Sequence, residues 1–205
     1  MKLYYLAGAC SLAPHIVARE AGVALEIEAV DVREKRTASG KDFRAINPKG
    51  SVPALELDNG EILTEGPAII QYLADLKPAT GLAPANGTMA RYRLQEMLAF
   101  LSSEVHKRHV PFFYPAYESV RALSLDALYA HYALLEQRLS AQEWLVGEHF
   151  TGADAYLFTL TTWAGHVGLD LARFPAVSAF RERVAQRPAV RAALEAEGLL
   201  NHDTR

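Results

Sequence analysis

Cysteine is nearly absent from this chain: Cys10 is the only one in 205 residues. A single thiol cannot close an internal disulfide, so a disulfide-stapled scaffold is excluded and a reducing cytoplasm fits best. Long apolar runs are missing as well. The longest uncharged apolar stretch, residues 155–169, includes Thr and His and falls short of the roughly 18 residues of a spanning helix. Nor is there an excess of positive charge. The 21 Lys and Arg stand against 24 Asp and Glu, which argues against a dedicated nucleic-acid binder. The opening Met1–Cys10 has the look of a lipoprotein signal but is far shorter than the roughly 15–30 residues a signal peptide needs. It reads instead as the first strand of the protein. What remains is a chain that is 50% hydrophobic, which excludes disorder as the main state. At roughly 150 residues per domain, its length suits one large domain or two small ones.

Neither repeats nor low-complexity segments are visible, but the texture changes near residue 80. The stretch from Lys77 to Thr88 holds Pro78, Gly81, Pro84 and Gly87 and reads as a linker, centred on about 81–86. Before it, Lys2–Leu6 is apolar on both faces, as a central strand would be. Ser11–Ala21 reads as a helix with Pro14 in its first turn and Gly22 as its stop. Leu25–Val30 alternates as a half-exposed strand. Two short strands, 53–57 and 61–63, flank Asp58-Asn59-Gly60, a strong hairpin signal, and Glu65–Leu76 forms the next helix. With a further helix between the second and third strands, the order is βαβαββα, a thioredoxin-like sheet domain over residues 1–80. Residues 87–205 are predicted to be all-helical, with helices near 89–110, 124–140, 152–168, 176–186 and 188–196. The fold class is therefore α/β plus all-α. Thr151-Gly152-Ala153-Asp154 has the spacing of a capping box, with Phe150 as a hydrophobic staple, and reads as a folding signal.

Several residues could carry chemistry. Cys10 lies between a buried strand and a helix start, where free N–H groups and the helix dipole favour an anionic sulfur. A lone cysteine is otherwise a small buried hydrophobe; the strand-to-helix position favours a functional thiol. Val52-Pro53 opens a strand after a structured turn and is a candidate cis peptide, leaving the Val52 N–H and C=O free to pair with an extended peptide. Thr64-Glu65-Gly66-Pro67 opens a helix whose N–H groups suit a carboxylate, with Glu65 to receive an ammonium. In the helix over 89–110, Leu94, Met97, Leu98, Leu101 and Val105 form a core face, while Ala99, Ser103, His106 and Lys107 form a small-and-basic stripe opposite. His106 and His109 supply two metal ligands at most, with no obvious third and with Lys107 and Arg108 repelling a cation, so no metal is expected.

These motifs, with Gly8–Leu12, Asn47–Leu55, Leu63–Asp75, Ser103–Lys107 and Phe150–Phe158 in this order and spacing, resemble those of the cytosolic glutathione S-transferases, specifically the bacterial beta class. The resemblance covers nearly the whole chain. It implies a homodimer that takes glutathione in the cleft between its domains together with a small hydrophobic electrophile. It implies that Cys10 lies beside the glutathione sulfur and that Val52 pairs with the cysteinyl backbone. Glu65 and Gly66 would hold the γ-glutamyl head, and Lys35 would approach the glycine carboxylate. Ser103, Glu104, His106 and Lys107 would form the helical wall. Tyr5, Ser11 and Trp163 are assigned to the co-substrate pocket: Trp163 falls where the family places an aromatic near it, and Tyr5 and Ser11 match the family's other activating hydroxyls, ranked below Cys10. Where the family usually has Asn, this chain has Ala99.

The expected function is conjugation of glutathione to hydrophobic electrophiles, including dehalogenation. Cys10 and His106 would be catalytic, a cationic His106 or Lys107 keeping the bound thiol ionised. The alternatives are a glutathione-dependent thiol-disulfide oxidoreductase acting through Cys10 and a non-catalytic carrier or regulator of the same fold. Retention of Cys10, Glu65 and the basic stripe weighs against the last.

Overall fold

The computed structural model describes residues 1–200, which divide into two compact units. The first comprises Met1–Ala83 and the described residues from Arg187 onward; the second is Pro84–Gln186.

The first unit is built on a five-stranded sheet. Its strands are β1 (Lys2–Tyr5), β2 (Glu26–Asp31), β3 (Arg36–Thr37), β4 (Ala54–Glu56) and β5 (Ile62–Thr64), in the spatial order β3-β2-β1-β4-β5. β1 runs parallel to β2, with Leu3 opposite Ile27, and antiparallel to β4, with Leu3 opposite Leu55. Leu3 and Tyr4 point to opposite faces and both are buried, as the run of apolar residues in this strand predicts. On the Tyr4 face the four-residue α2 (Phe43–Ile46) places Phe43 against Tyr4, Val30 and Ala54. The Leu3 face is left to α1 (Leu12–Glu20) and α3 (Gly66–Asp75), which pack on each other and bury Leu12, Ile16, Ile69, Ile70 and Leu73. The Asp58-Asn59-Gly60 turn joins β4 to β5 with Leu55 opposite Leu63, and Gly60 takes the left-handed φ of +85° such a turn requires. The two-residue edge strand β3 has no counterpart in the sequence reading.

The last helix, α10 (Pro188–Ala196), packs on α1. Arg187 donates from Nε and a terminal nitrogen to both carboxylate oxygens of Glu20, at 2.6 and 2.9 Å. Just beyond α10, Glu197 is buried. It accepts from the Gly8 N–H at 2.9 Å and pairs with His15 Nδ1 at 2.9 Å. Arg19 Nε donates to His15 Nε2 at 3.4 Å, so the His15 proton lies on Nδ1 and is donated to Glu197. The C-terminal segment thereby holds the loop that leads from β1 to Cys10.

The second unit is helical: α4 (Met89–Phe100), α5 (Lys107–Phe113), α6 (Arg121–Ala141), α7 (Gly152–Thr161), α8 (Ala164–Val167) and α9 (Pro175–Ala185). Thr88 caps α4 by accepting from the Arg91 N–H. Leu94, Met97, Leu98, Leu101 and Val105 are buried, as their spacing predicts. The segment is not one continuous α-helix, however. Between α4 and α5 the chain widens into a π-helix over Leu101–His106, a rare form that is frequent at functional sites. Every residue of α7 is buried, as for a helix at the centre of a bundle. Its start carries the anticipated capping box: the Asp154 carboxylate accepts from Thr151 N (2.8 Å) and Thr151 Oγ1 (2.9 Å), and its other oxygen accepts from Leu145 N (2.8 Å). Phe150 meets Trp144 edge-on at 5.5 Å. Among the described residues no helix is long and apolar enough to cross a membrane.

Candidate functional site

In the first unit, the candidate residues sit on the segments that connect strands and helices. After β1, Ala9 donates to Leu6 O and Leu12 donates to Ala9 O, so Cys10 closes a tight turn just ahead of α1. The cysteine is half-buried, unlike a hydrophobe packed into a core. Its Sγ donates to the Val52 carbonyl at 3.4 Å, which brings together two groups picked independently from the sequence. The Val52–Pro53 peptide is cis, and the Val52 N–H has no partner among the described residues. An extended peptide can pair there.

Among the described residues only two non-glycine residues adopt positive φ: Lys35 at +55° and Glu65 at +69°. Side chains at such φ are strained by about 1–3 kcal/mol, and this strain gathers at functional positions. Both residues belong to the candidate glutathione set. Lys35 Nζ donates to Gly50 O at 2.7 Å, and Lys35 also lines a depression of about 310 Å³ with Arg33, Glu34, Arg36, Asp42 and Arg44. Glu65 stands at the N-cap position of α3 without a side-chain capping bond, followed by Gly66 and Pro67 in the first turn. Its exposed carboxylate holds the Lys49 ammonium at 2.6 Å, and Lys49 also reaches Thr64 Oγ1 at 3.0 Å. Glu65 thus already binds an alkylammonium.

Two hydroxyls of the candidate set lie close to Cys10 in the sequence. Ser11 is fully buried and does not cap α1; its Oγ donates to Leu6 O and accepts from Leu6 N, both at 3.2 Å. It is committed to the loop, because the helix begins one residue later and the serine side chain turns back to the strand end. Tyr5 is half-buried, and burial, followed by the Glu197 charge, raises its phenol above the ordinary value, so it stays protonated at neutral pH.

In the second unit, Ser103, Glu104 and His106 all lie on the π-helix, with Lys107 next in line. Ser103 Oγ donates to Glu104 Oε1 at 3.2 Å, and Lys107 is exposed. His106 Nδ1 meets the hydroxyl of buried Tyr156 at 2.8 Å. The Trp163 ring lies 5.1 Å from His106 and 5.3 Å from His109. Burial is the main force lowering the His106 pKa to about 4, with smaller pushes from His109 and Lys107. His106 is therefore neutral at neutral pH, which corrects the expectation of a cationic imidazole: the aromatic cluster around it excludes the water a charge would need. The exposed Lys107 remains the cation of the pair. Ala99 is exposed on α4. Among the described residues no three His, Cys, Asp or Glu side chains gather where a metal ion could be held.

Some contributors were not legible in the sequence. Lys49 falls in the turn before Val52-Pro53 and Tyr156 in the uncharged apolar stretch 155–169, and neither setting points to a contact with a site residue. Glu197 carried no signal, since its partners lie more than 180 residues away in the chain, at |i−j| of 182 and 189. A motif could point only to residues with short-range patterns.

A thioredoxin-like unit with a half-buried thiol beside a cis-proline strand, joined in sequence to a helical unit, defines a class of thiol-handling proteins. Within that class the comparisons are specific. Residues 7–76 match the model for the glutathione S-transferase N-terminal domain, and residues 99–188 match that for the C-terminal domain. The chain is 44% identical to glutathione S-transferase GstA of Escherichia coli O157:H7 over 97% of its own length and all of that protein. A Sphingomonad glutathione S-transferase solved with glutathione is 49% identical with a TM-score of 0.94, covering 97% of this chain and 100% of that one. A bacterial beta class enzyme from Sphingomonas chungbukensis is 47% identical with a TM-score of 0.95, covering 98% and 100%. The chain belongs to the glutathione S-transferase family.

Proposed function

We propose that the protein binds glutathione and conjugates its sulfur to small hydrophobic electrophiles, as a cytoplasmic homodimer. The observation that carries the reading is the strained backbone at Lys35 and Glu65, which coincides with two positions assigned to the ligand's ends. The Cys10–Val52 contact joins the thiol to the residue assigned to the ligand's middle. The ligand has a charged amino-acid head, an extended middle, a thiol and a terminal carboxylate. Glu65 and the start of α3, with Gly66, suit the head; the free Val52 N–H and its carbonyl suit the cysteinyl backbone; Lys35 suits the carboxylate. Cys10 meets the sulfur. From the second unit, Ser103, Glu104, His106 and Lys107 are assigned to the same ligand, and Trp163 to the electrophile. Lys107 supplies positive charge, and His106 supplies a neutral hydrogen-bonding group.

Conjugation needs the glutathione thiol to lose its proton to solvent. The sulfur then attacks an electrophilic carbon, and the new C–S bond forms as the leaving group departs with its electron pair. The helix-start N–H groups and Lys107 stabilise the sulfur's negative charge. The protein should elute from immobilised glutathione only with free glutathione, and millimolar glutathione should raise its melting temperature. Absence of both effects overturns the reading. Sedimentation at micromolar concentration should give twice the chain mass.

Cys10→Ala separates conjugation from thiol exchange. Turnover of a chlorodinitrobenzene should persist, reduced about 10-fold at most, while reduction of glutathione mixed disulfides should be lost. Loss of both activities with the fold intact would place the cysteine at the centre of conjugation itself. Ala99→Asn should bind glutathione equally well or up to about 5-fold more tightly, since the amide adds donors on an exposed position of α4. A clear loss in a titration would mean that this wall is arranged differently.

A further inference from the structure

We propose that Tyr156 is a positioning residue that fixes His106 with its proton on Nε2, so that residue 106 offers glutathione's sulfur a hydrogen-bond donor and not a base. The proposal rests on the reading that residue 106 meets that sulfur, and it adds the tautomer and the residue that sets it.

The two histidines of the cluster make the case by contrast. His109 Nδ1 lies 2.9 Å from the Val105 carbonyl. A carbonyl can only accept, so the His109 proton sits on Nδ1. His106 Nδ1 instead lies 2.8 Å from the Tyr156 hydroxyl. A phenol is a better donor than acceptor, because its oxygen lone pair is drawn into the ring, while a bare imidazole nitrogen is a good acceptor. Tyr156 therefore donates, Nδ1 is bare, and the proton of a neutral imidazole must be on Nε2. That nitrogen has no hydrogen-bond partner among the described residues and is not among the buried side-chain atoms left without one. It is free to meet a ligand. Tyr156 is itself held rigidly: it is buried on α7, two residues after the Asp154 capping box, with its ring edge-on to His106 at 6.0 Å. The Trp163 ring also packs on the imidazole, 5.1 Å away.

The consequence is chemical. To act as the base, an imidazole bare at Nε2 would have to take the thiol proton and become a cation beside His109 and Lys107, which the cluster disfavours. An Nε2–H group stabilises the thiolate by hydrogen bonding without changing its own charge, and the thiol proton goes to solvent.

The test is the imidazole tautomer, read from long-range proton–nitrogen correlation spectra of isotope-labelled protein at neutral pH. In the wild type, His106 should show the proton on Nε2 and His109 on Nδ1. Tyr156→Phe should shift His106 towards a mixture of tautomers and lower turnover about 3- to 10-fold, with KM for glutathione held within about twofold. A wild-type His106 protonated on Nδ1, or a variant with an unchanged His106 spectrum, overturns the proposal; the first of these needs no variant to fold. Glutathione should also shift the His106 Nε2 resonance. If it shifts first-unit resonances and leaves His106 unmoved, the role given to residue 106 fails while glutathione binding stands. If millimolar glutathione moves no resonance at all, the proposed function fails with it.

Discussion

Replacing Asp154 by Ala should destabilise the protein by about 3–5 kcal/mol, the largest loss expected of any single substitution considered. The carboxylate is fully buried and accepts from Leu145 N, Thr151 N and Thr151 Oγ1. Alanine would leave these donors unpaired where water cannot easily reach them. The damage would spread beyond the cap, because α7 is buried along its whole length and Leu145 belongs to the segment that enters it. At about 2–4 °C per kcal/mol for a chain of this size, melting should fall by about 6–20 °C. Calorimetry of the two proteins at neutral pH gives the answer. A drop of under about 1 kcal/mol would mean that the loop before α7 finds other partners.

The same residue gives the loss a pH signature. Burial is the main cause that raises the Asp154 pKa to about 6, against the pull of its hydrogen bonds to Leu145 and Thr151. A folded pKa above the unfolded value of roughly 3.9 means that the folded protein binds more protons between the two. The proton-linked stability from this group is fully present below about pH 4 and is lost as the pH rises through about 6. The gap between wild type and Asp154→Ala should therefore widen as the pH falls from about 7 to about 5. A gap that narrows on acidification would show that the hydrogen bonds, and not burial, dominate the carboxyl's titration.

Asp154 was legible in the sequence because a capping box is a four-residue pattern whose chemistry is local. The same locality explains the rest of what could be read. Strand alternation in β2, the Asn59-Gly60 turn and the spacing of Leu94, Leu98, Leu101 and Val105 each follow from the geometry of a single element. The π-helix escaped because Leu101 and Val105, four apart, also satisfy an ordinary helix; the wider turn changes which residues neighbour His106 without disturbing the apolar pattern. The charge on His106 escaped for a related reason. The ring is neutral because Tyr156 and Trp163 enclose it, and they lie 50 and 57 positions further along the chain. The positive φ at Lys35 and Glu65 was hidden because these side chains give no sign of it, whereas a glycine would have done. The candidate residues themselves came from the family's motifs, which record a site without recording how its side chains are held.

Glu65→Ala should weaken glutathione binding about 10- to 100-fold, on the reading that Glu65 receives the ligand's ammonium. The carboxylate is exposed and already paired with Lys49. The ligand must therefore displace one ammonium with another, and it wins only through the second anchor that the α3 N–H groups give its adjacent carboxylate. Because the pair is open to solvent, salt should screen it: raising ionic strength should weaken binding to the wild type more than to the variant. Glu65→Gly supplies the control for backbone effects. Glycine accepts the φ of +69° without strain, so this variant should melt at or above the wild-type temperature and yet bind glutathione as poorly as Glu65→Ala. That combination, stability kept and affinity lost, would mark the strained backbone at residue 65 as the cost of placing a carboxylate at this helix start. Titration calorimetry showing wild-type affinity in both variants would move the ammonium elsewhere and leave the strain at residue 65 without a function.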